Sequence, residues 1–136
     1  MNSKTELQQG WAQSWLDNRD NPHDPRTADR FAEEHHGWFL TSTGRRFVPQ
    51  LPAASKIDIE DIAHALSQLC RFGGHCCEFY SVAQHSVIVS LNVPPEHRFA
   101  ALMHDAAEAY LGDVIQPIKR LLPEYKAMES EVWRAL

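Results

Sequence analysis

The chain has 136 residues, of which 43% are hydrophobic and 23% charged, so neither a disordered nor a fibrous protein is indicated. This length fits one domain that buries a core of its own. The formal net charge of −5 argues against a broad nucleic-acid-binding surface, because such surfaces neutralise phosphates with many Lys and Arg side chains.

The sequence also bears on the compartment in which the protein works. No apolar run approaches the roughly 20 residues that span a bilayer, and the polar start of the chain lacks the layout of a signal peptide. Cys70, Cys76 and Cys77 are odd in number and two are adjacent, which is typical of reduced thiols rather than of a disulfide framework. We therefore expect a cytoplasmic protein with no membrane partner.

Residues 1–37 are polar and rich in charge, and we expect them to form an extension outside the main domain. A turn-forming cluster at residues 20–25 precedes a short helix expected at residues 26–35. The adjacent His35 and His36 have side chains that bind metals, but a solvated pair in a terminal extension is the alternative that we favour.

Residues 38–48 predict a short β-hairpin. Aromatic and β-branched residues lie on either side of the turn residues Ser42, Thr43 and Gly44. Pro49 and Pro52 are expected to end the hairpin and to begin a linker.

The helical body is predicted to begin at Asp58, which suits the N-cap of a first helix. The apolar residues that follow at helical spacing are Ile59, Ile62, Ala63, Leu66 and Leu69. We expect this helix to stop at Cys70, where Gly73 and Gly74 free the backbone to turn sharply and to approach a ligand closely.

Two further helices are predicted on either side of a Pro-Pro break. Ser81 and Gln84 have the spacing of a capping box, and they open a helix that carries His85. The second of these helices is expected over residues 99–113, because apolar residues recur there at three- and four-residue steps. These residues are Phe99, Leu102, Met103, Ala106, Ala107 and Tyr110. Beyond them, a short helical piece is expected at residues 118–122 and a last helix from Glu124 onwards.

His104 and Asp105 interrupt the predicted apolar stripe with two ionisable side chains. Buried ionisable groups need partners, and a metal ion supplies one because imidazole and carboxylate both bind divalent transition metals. Helices joined by a Pro-Pro turn are expected to pack antiparallel, which can bring His85 against the pair. The alternative is a core histidine beside a carboxylate on the helix surface. A closed structural zinc site is less favoured, since Cys76 and Cys77 do not easily point at one tetrahedral centre.

Three segments resemble the HD-domain metal-dependent phosphohydrolases, nearest to the small bacterial and phage branch of 5′-deoxynucleotidases and deoxynucleoside triphosphate hydrolases. The segments lie at residues 70–75, 79–86 and 101–110, and the resemblance extends from about Ser42 to the C-terminus. It implies an all-α helical bundle over residues 38–136 that lacks the family's C-terminal helices and includes the predicted hairpin at residues 38–48. It also implies a homo-oligomer.

The resemblance implies that His85, His104 and Asp105 hold a divalent metal ion, which could be Zn, Mn, Co, Ni or Mg. The family's fourth ligand, an aspartate on a later helix, has no counterpart after Asp113. Glu129 or water is a candidate substitute, and an exposed helix carboxylate is the alternative role of Glu129.

The resemblance also implies catalytic roles for two acidic residues. Glu108 would position or deprotonate the attacking water, and Asp113 would protonate the leaving oxygen or order the groups that do so. A plain turn position after Gly112 is the alternative for Asp113.

Four residues are predicted to bind the substrate. The planar fork of Arg71 suits two phosphate oxygens, and the neighbouring Phe72 offers an apolar wall for a sugar or base. Lys119 is a second candidate for the phosphate, with a solvated charge as the alternative. His75 could contact the substrate or cap a turn.

The sequence thus predicts a metal-dependent phosphohydrolase that acts on nucleotides or deoxynucleotides. The alternative is a non-catalytic binding or assembly module with the same fold and an incomplete metal site. A nuclease is a weaker third possibility, because the acidic balance disfavours nucleic acid as a partner.

Overall fold

The computed structural model describes residues 37–136, which are mostly helical with one short antiparallel sheet. The elements in chain order are β1 (Phe39–Leu40), β2 (Arg46–Phe47), α1 (Ile59–Gln68), α2 (Val82–Leu91), α3 (Arg98–Met103), α4 (Glu108–Leu111), α5 (Gln116–Lys119) and α6 (Pro123–Ala135). Short 3₁₀ turns lie at Ala54–Lys56, Arg71–Gly74 and Pro95–His97. None of the helices in this part of the chain is long and apolar enough to cross a membrane.

Several predictions concern the start of the chain. The extension over residues 1–37, apart from Gly37, lies outside the described residues. The same is true of the helix expected at residues 26–35 and of the histidine pair at positions 35 and 36. These predictions therefore stay predictions.

The predicted hairpin is present, and it packs on the helical body. Phe39 pairs with Phe47 across the two strands, and Phe47 is fully buried against Tyr110, with ring centroids 4.3 Å apart. The buried carboxylate of Asp61 accepts hydrogen bonds from the Ser42 hydroxyl at 2.6 Å and from the Thr43 backbone N–H at 2.8 Å. The first turn of α1 therefore holds the hairpin turn.

The first helix begins as its sequence predicts and ends at Gln68, two residues before the expected stop at Cys70. The Asp58 side chain accepts a hydrogen bond from the backbone N–H of Glu60 at 2.8 Å, which makes it the N-cap. After α1 the chain turns sharply at Arg71–Gly74, where Phe72 has a φ of 57° and Gly73 one of 62°. An isolated antiparallel bridge between Cys70 and Ser81 closes the base of this loop.

The capping box predicted for the second helix is also present. The Ser81 hydroxyl accepts from the Gln84 backbone N–H at 3.1 Å, and the Gln84 side chain accepts from the Ser81 N–H at 2.8 Å. This arrangement sets the first turn of α2, which packs against both α1 and α3.

The single helix predicted over residues 99–113 is wrong. The backbone between α3 and α4 tightens, so that the N–H of Ala106 bonds to the Met103 carbonyl and the N–H of Glu108 to the Asp105 carbonyl. His104 Nδ1 lies 2.7 Å from the carbonyl oxygen of Ala101, the acceptor that the next backbone N–H would use in an α-helix. This side chain therefore competes with the regular helical pattern.

The predicted apolar stripe is right for four of its six residues, since Met103 also packs against the core cluster. Ala106, Ala107 and Tyr110 are buried in the core, whereas Phe99 is 75% exposed and Leu102 is 39% exposed. Phe99 and Leu102, both in α3, are thus the two residues that depart from the predicted stripe.

The last two helices differ from the prediction mainly in their bounds. The short piece expected at residues 118–122 is α5 at Gln116–Lys119, and the last helix begins at Pro123, the first helical position that proline favours. The buried hydrophobic cluster of the described residues contains Phe47, Ile62, Leu66, Val82, Ala106, Ala107, Tyr110 and Val132. Helix α6 contributes Val132 to it.

Candidate metal centre

His85, His104 and Asp105 lie together, as the sequence predicts. Each offers one ligand atom, and these atoms all lie within 4.8 Å of one another. Oδ2 of Asp105 is 3.1 Å from His104 Nε2 and 3.7 Å from His85 Nε2. Within the part of the chain that the structure describes, no other group of three or more His, Cys, Asp or Glu side chains is close enough to hold a metal ion.

Local structure orients both imidazoles. His85 lies on the first turn of α2, directly after the capping box. The bond from His104 Nδ1 to the Ala101 carbonyl leaves Nε2 directed at Asp105, the kind of backbone contact that orients metal-binding histidines. His104 is also exposed, so it is not the core histidine of the alternative interpretation.

The donor set fits a divalent transition metal. Burial and the neighbouring Arg71 guanidinium lower the pKa of His85, which favours the neutral imidazole that binds metals. Two imidazoles and one carboxylate leave coordination positions for water or substrate, as in catalytic rather than structural sites.

Arg71 adds a cation beside the carboxylate of the cluster. Its Nη1 lies 3.3 Å from Asp105 Oδ2, while its Nε is buried without a hydrogen-bond partner among the described residues. The Phe72 ring lies 5.1 Å from the guanidinium carbon and is 52% exposed. The tight turn at Arg71–Gly74 therefore presents a cation and an aromatic face side by side.

Glu108 is buried at the start of α4, and its Oε2 has no hydrogen-bond partner among the described residues. Burial, together with the negative charges of Asp105 and Asp113, raises the pKa of Glu108 to about 7, although Lys119 and Arg71 oppose the shift. The carboxyl group can therefore take up or release a proton near neutral pH.

Lys119 is only 6% exposed, which excludes the solvated charge of the alternative interpretation. Its Nζ donates to Glu129 Oε1 at 2.7 Å and lies 3.7 Å from Glu108 Oε1. This contact also places Glu129 at the lysine rather than at the His–Asp cluster, so the structure does not bring it in as a fourth ligand. Nor is Glu129 an exposed carboxylate, because it is half-buried.

The His–Asp cluster, Arg71, Glu108 and Lys119 border one cavity of about 330 Å³, which is within the size range of small-molecule sites. The lining residues are Arg71, Phe72, His85, His104, Asp105, Glu108, Asp113, Val114, Ile115, Gln116, Pro117 and Lys119. All the site residues predicted from the sequence are in this set except His75, which is exposed at the end of the tight turn.

The sequence interpretation missed the wall formed by residues 114–117, which are the end of the connection after α4 and the first two residues of α5. The signal that could have predicted this wall is that the segment directly follows Asp113, a predicted site residue. Asp113 follows Gly112, whose φ is 83°, so it lies directly after a turn glycine. Asp113 also lines the cavity, so its interpretation as a turn residue and its interpretation as a site residue are compatible.

Comparisons with known proteins add relatives but no activity. No family model matches the chain. The uncharacterized protein YfdR of Escherichia coli is 52% identical over 92 residues, which are 68% of this chain and 52% of YfdR. The uncharacterized protein RCAP_rcc00048 of Rhodobacter capsulatus is 40% identical over 91 residues, which are 60% of this chain and 46% of that protein. The chain thus spans about half the length of the curated relatives it matches.

Proposed function

We propose that the chain is an HD-domain phosphohydrolase that uses a divalent metal ion to hydrolyse nucleotides or deoxynucleotides. One observation carries this proposal. The ligand atoms of His85, His104 and Asp105 lie within 4.8 Å of one another at a cavity that also contains Arg71 and the buried Glu108. Water attack on a phosphate requires a metal site, a cation and a proton acceptor, and this cavity groups side chains suited to all three.

The metal ion would be held by His85, His104 and Asp105. When bound, it supplies Lewis acidity, which lowers the pKa of water and polarises a phosphoryl oxygen. The two imidazoles favour Zn, Mn, Co or Ni over Mg, which prefers oxygen ligands throughout.

The protein's own groups would bind the phosphate and move the protons. The guanidinium of Arg71, which lines the cavity, would donate to a phosphate oxygen, and Glu108, with its pKa near neutrality, would accept a proton from the attacking water. Asp113 lies on the wall of the same cavity, where it would order the groups that pass this proton from Glu108 to the leaving oxygen. The hydrogen bond to Glu129 fixes the position of Lys119, whose Nζ lies 3.7 Å from Glu108. There its positive charge would offset the charges of both Glu108 and the phosphate.

A nucleotide is the proposed substrate because an apolar surface lies beside the phosphate-binding cation. The exposed Phe72 ring, next to Arg71, can pack against a sugar or base. We propose that the protein acts on nucleotide pools in the cytoplasm.

The test is a hydrolysis panel with the purified chain. Deoxynucleoside mono-, di- and triphosphates are supplied with Mn²⁺, Co²⁺, Zn²⁺, Ni²⁺ or Mg²⁺, and released phosphate, pyrophosphate and triphosphate are measured. We expect activity that His104→Ala abolishes and His97→Ala preserves, because His97 is exposed in the turn before α3, outside the cluster. Inactivity across the panel with stoichiometric metal bound would refute the proposal.

One observation favours a second candidate function. The described residues bring three ligands together rather than the four that the family resemblance implies. A non-catalytic binding or assembly module with an incomplete site is therefore the alternative. Metal analysis decides between the two, since a purified chain that retains no stoichiometric metal would support the module.

The homo-oligomer expected from the resemblance is also part of the proposal. Apolar side chains are exposed on α2 and α3, and a second copy could cover them. They are Val87, Ile88, Leu91, Phe99 and Leu102. Sedimentation velocity tests this, and a monomer at all concentrations would contradict it.

A further inference from the structure

Two cysteines flank the loop that carries Arg71 and Phe72. Cys70 directly precedes the tight turn, Cys76 follows it, and their Sγ atoms lie 4.0 Å apart. Both thiols are free and half-buried, whereas Cys77 is free and exposed. A disulfide requires the sulfurs to approach to about 2.05 Å, so the observed distance leaves about 2 Å to close.

We propose that Cys70 and Cys76 form an oxidisable dithiol, whose reversible conversion to a disulfide restrains this loop and controls substrate binding. The existence of the dithiol is independent of any activity. Its control of substrate binding rests on the proposed function.

The chemistry requires an oxidant, either a hydroperoxide or a small-molecule disulfide such as oxidised glutathione. The two S–H bonds break and one S–S bond forms, and two electrons and two protons pass to the oxidant. A hydroperoxide becomes an alcohol or water with release of one further water, and a small-molecule disulfide becomes two thiols. A dithiol reductant reverses the reaction.

A hydrogen bond connects the pair to the candidate site. The Cys76 thiol donates to the backbone carbonyl of Arg71 at 3.2 Å, and oxidation removes the hydrogen that makes this bond. On the other side, the bridge to Ser81 holds Cys70, and the Arg71 N–H donates to the Tyr80 carbonyl at 2.9 Å. The Cys76 side of the loop is therefore the part that must move.

A movement of the Cys76 side of the loop would affect the candidate metal centre through the side chain of Arg71. The guanidinium of Arg71 lies 3.3 Å from Asp105. Loss of the hydrogen bond from Cys76 to the Arg71 carbonyl therefore removes one restraint on the residue that carries a cation at the cavity wall. The turn itself contains two glycines with positive φ, Gly73 and Gly74, which allow it to adjust.

The pair is expected to react slowly at neutral pH. Partial burial and the neighbouring Cys70 raise the pKa of the Cys76 thiol, and the thiolate is the form that attacks an oxidant or a disulfide. The rate of disulfide formation should therefore rise with pH.

The test begins with peptide mapping by mass spectrometry. The full chain is treated with oxidised glutathione or hydrogen peroxide, alkylated and digested. We expect a linked peptide pair containing Cys70 and Cys76 that has lost two hydrogens and is restored by dithiothreitol. The link should be absent from Cys70→Ser and from Cys76→Ser and retained in Cys77→Ser, the matched control. A link from Cys76 to Cys77, a link between chains or modification of Cys77 alone would overturn the proposal.

Two further readouts test the effect on the loop, using the Cys77→Ser protein in both redox states. Hydrogen exchange of the peptide over residues 70–81 should slow on oxidation, and the nucleotide KM should rise about fivefold, the equivalent of about 1 kcal/mol of lost binding. A linked but active protein with an unchanged KM would refute the control of substrate binding. A protein without any hydrolytic activity would count against the proposed function, while mapping and exchange would still decide on the dithiol.

Discussion

Glu108 is a buried carboxyl group between opposing charges, which determines how it responds to pH. Burial disfavours its ionised form most, and Asp105 and Asp113 add to this effect. Lys119 and Arg71 favour the ionised form, and the net result is a pKa of about 7. The folded protein therefore holds the proton to a higher pH than the unfolded chain, in which the pKa is near 4.5. The stability associated with this proton is present below pH 4.5 and is lost as the pH rises through about 7.

In the metal-free protein, Glu108→Gln should remove the free-energy cost of holding an ionised Glu108 in the folded state above pH 7. At pH 8 we expect the variant to be more stable than the wild type by about 3 kcal/mol, since the pKa of Glu108 rises from 4.5 to about 7 and each pKa unit corresponds to about 1.4 kcal/mol. At pH 4.5 the two proteins should be equally stable. Urea unfolding at both pH values measures the difference, and Glu78→Gln, at an exposed loop position, is the control. The same difference at both pH values would contradict the prediction.

Helix α2 carries His85, and its start depends on the reciprocal hydrogen bonds of Ser81 and Gln84. Because the bonded atoms are at most three residues apart, this start does not require distant contacts. A second serine of the same helix, Ser86, is buried with a hydroxyl that has no hydrogen-bond partner among the described residues.

These two serines form a matched pair for mutation. Ser81→Ala should destabilise the protein by about 1 kcal/mol because it leaves a backbone N–H of the first turn unpaired. Ser86→Ala should be neutral or slightly stabilising, because it removes a buried hydroxyl that gains no hydrogen bond. Chemical unfolding measures both, and an equal loss of stability in both variants would contradict the role of the capping box.

At the scale of the whole molecule, the candidate metal centre joins α2 to the turn between α3 and α4. The unfolded chain does not hold these segments together, so a metal that binds the cluster must stabilise the folded state.

We expect the melting temperature to rise with metal concentration and to fall again with a chelator. At a free metal concentration of 100 times Kd, the stabilisation should be about 2.7 kcal/mol. His85→Ala and His104→Ala should abolish the shift, and His97→Ala should retain it. Differential scanning fluorimetry with metal titration measures this, and a shift that persists in both cluster variants would place the metal elsewhere.

Short-range sequence patterns were sufficient to predict much of the fold. The N-cap at Asp58, the capping box and the hairpin around Gly44 all depend on atoms a few residues apart, and all three are confirmed. The His–Asp pair stood out for a similar reason, since it places two ionisable groups within a predicted apolar helix.

The helix predicted over residues 99–113 is interrupted by a turn at residues 104–107, where a side chain bonds to a backbone carbonyl. Periodicity counts apolar positions, but it does not register that His104 bonds to the carbonyl oxygen of Ala101. Periodicity could not predict the exposure of Phe99 either, because burial depends on whether another element covers that face of the helix.

The amino-acid sequence alone determined where most elements begin, because caps, turns and glycines act through neighbouring backbone atoms. It also singled out the residue types that a hydrolytic site needs. Only the tertiary structure decided that Lys119 is buried, because its partners Glu108 and Glu129 come from different helices. The same holds for the meeting of His85 with Asp105 and for the pKa of Glu108, since Coulomb interactions and desolvation depend on distances through space and not along the chain.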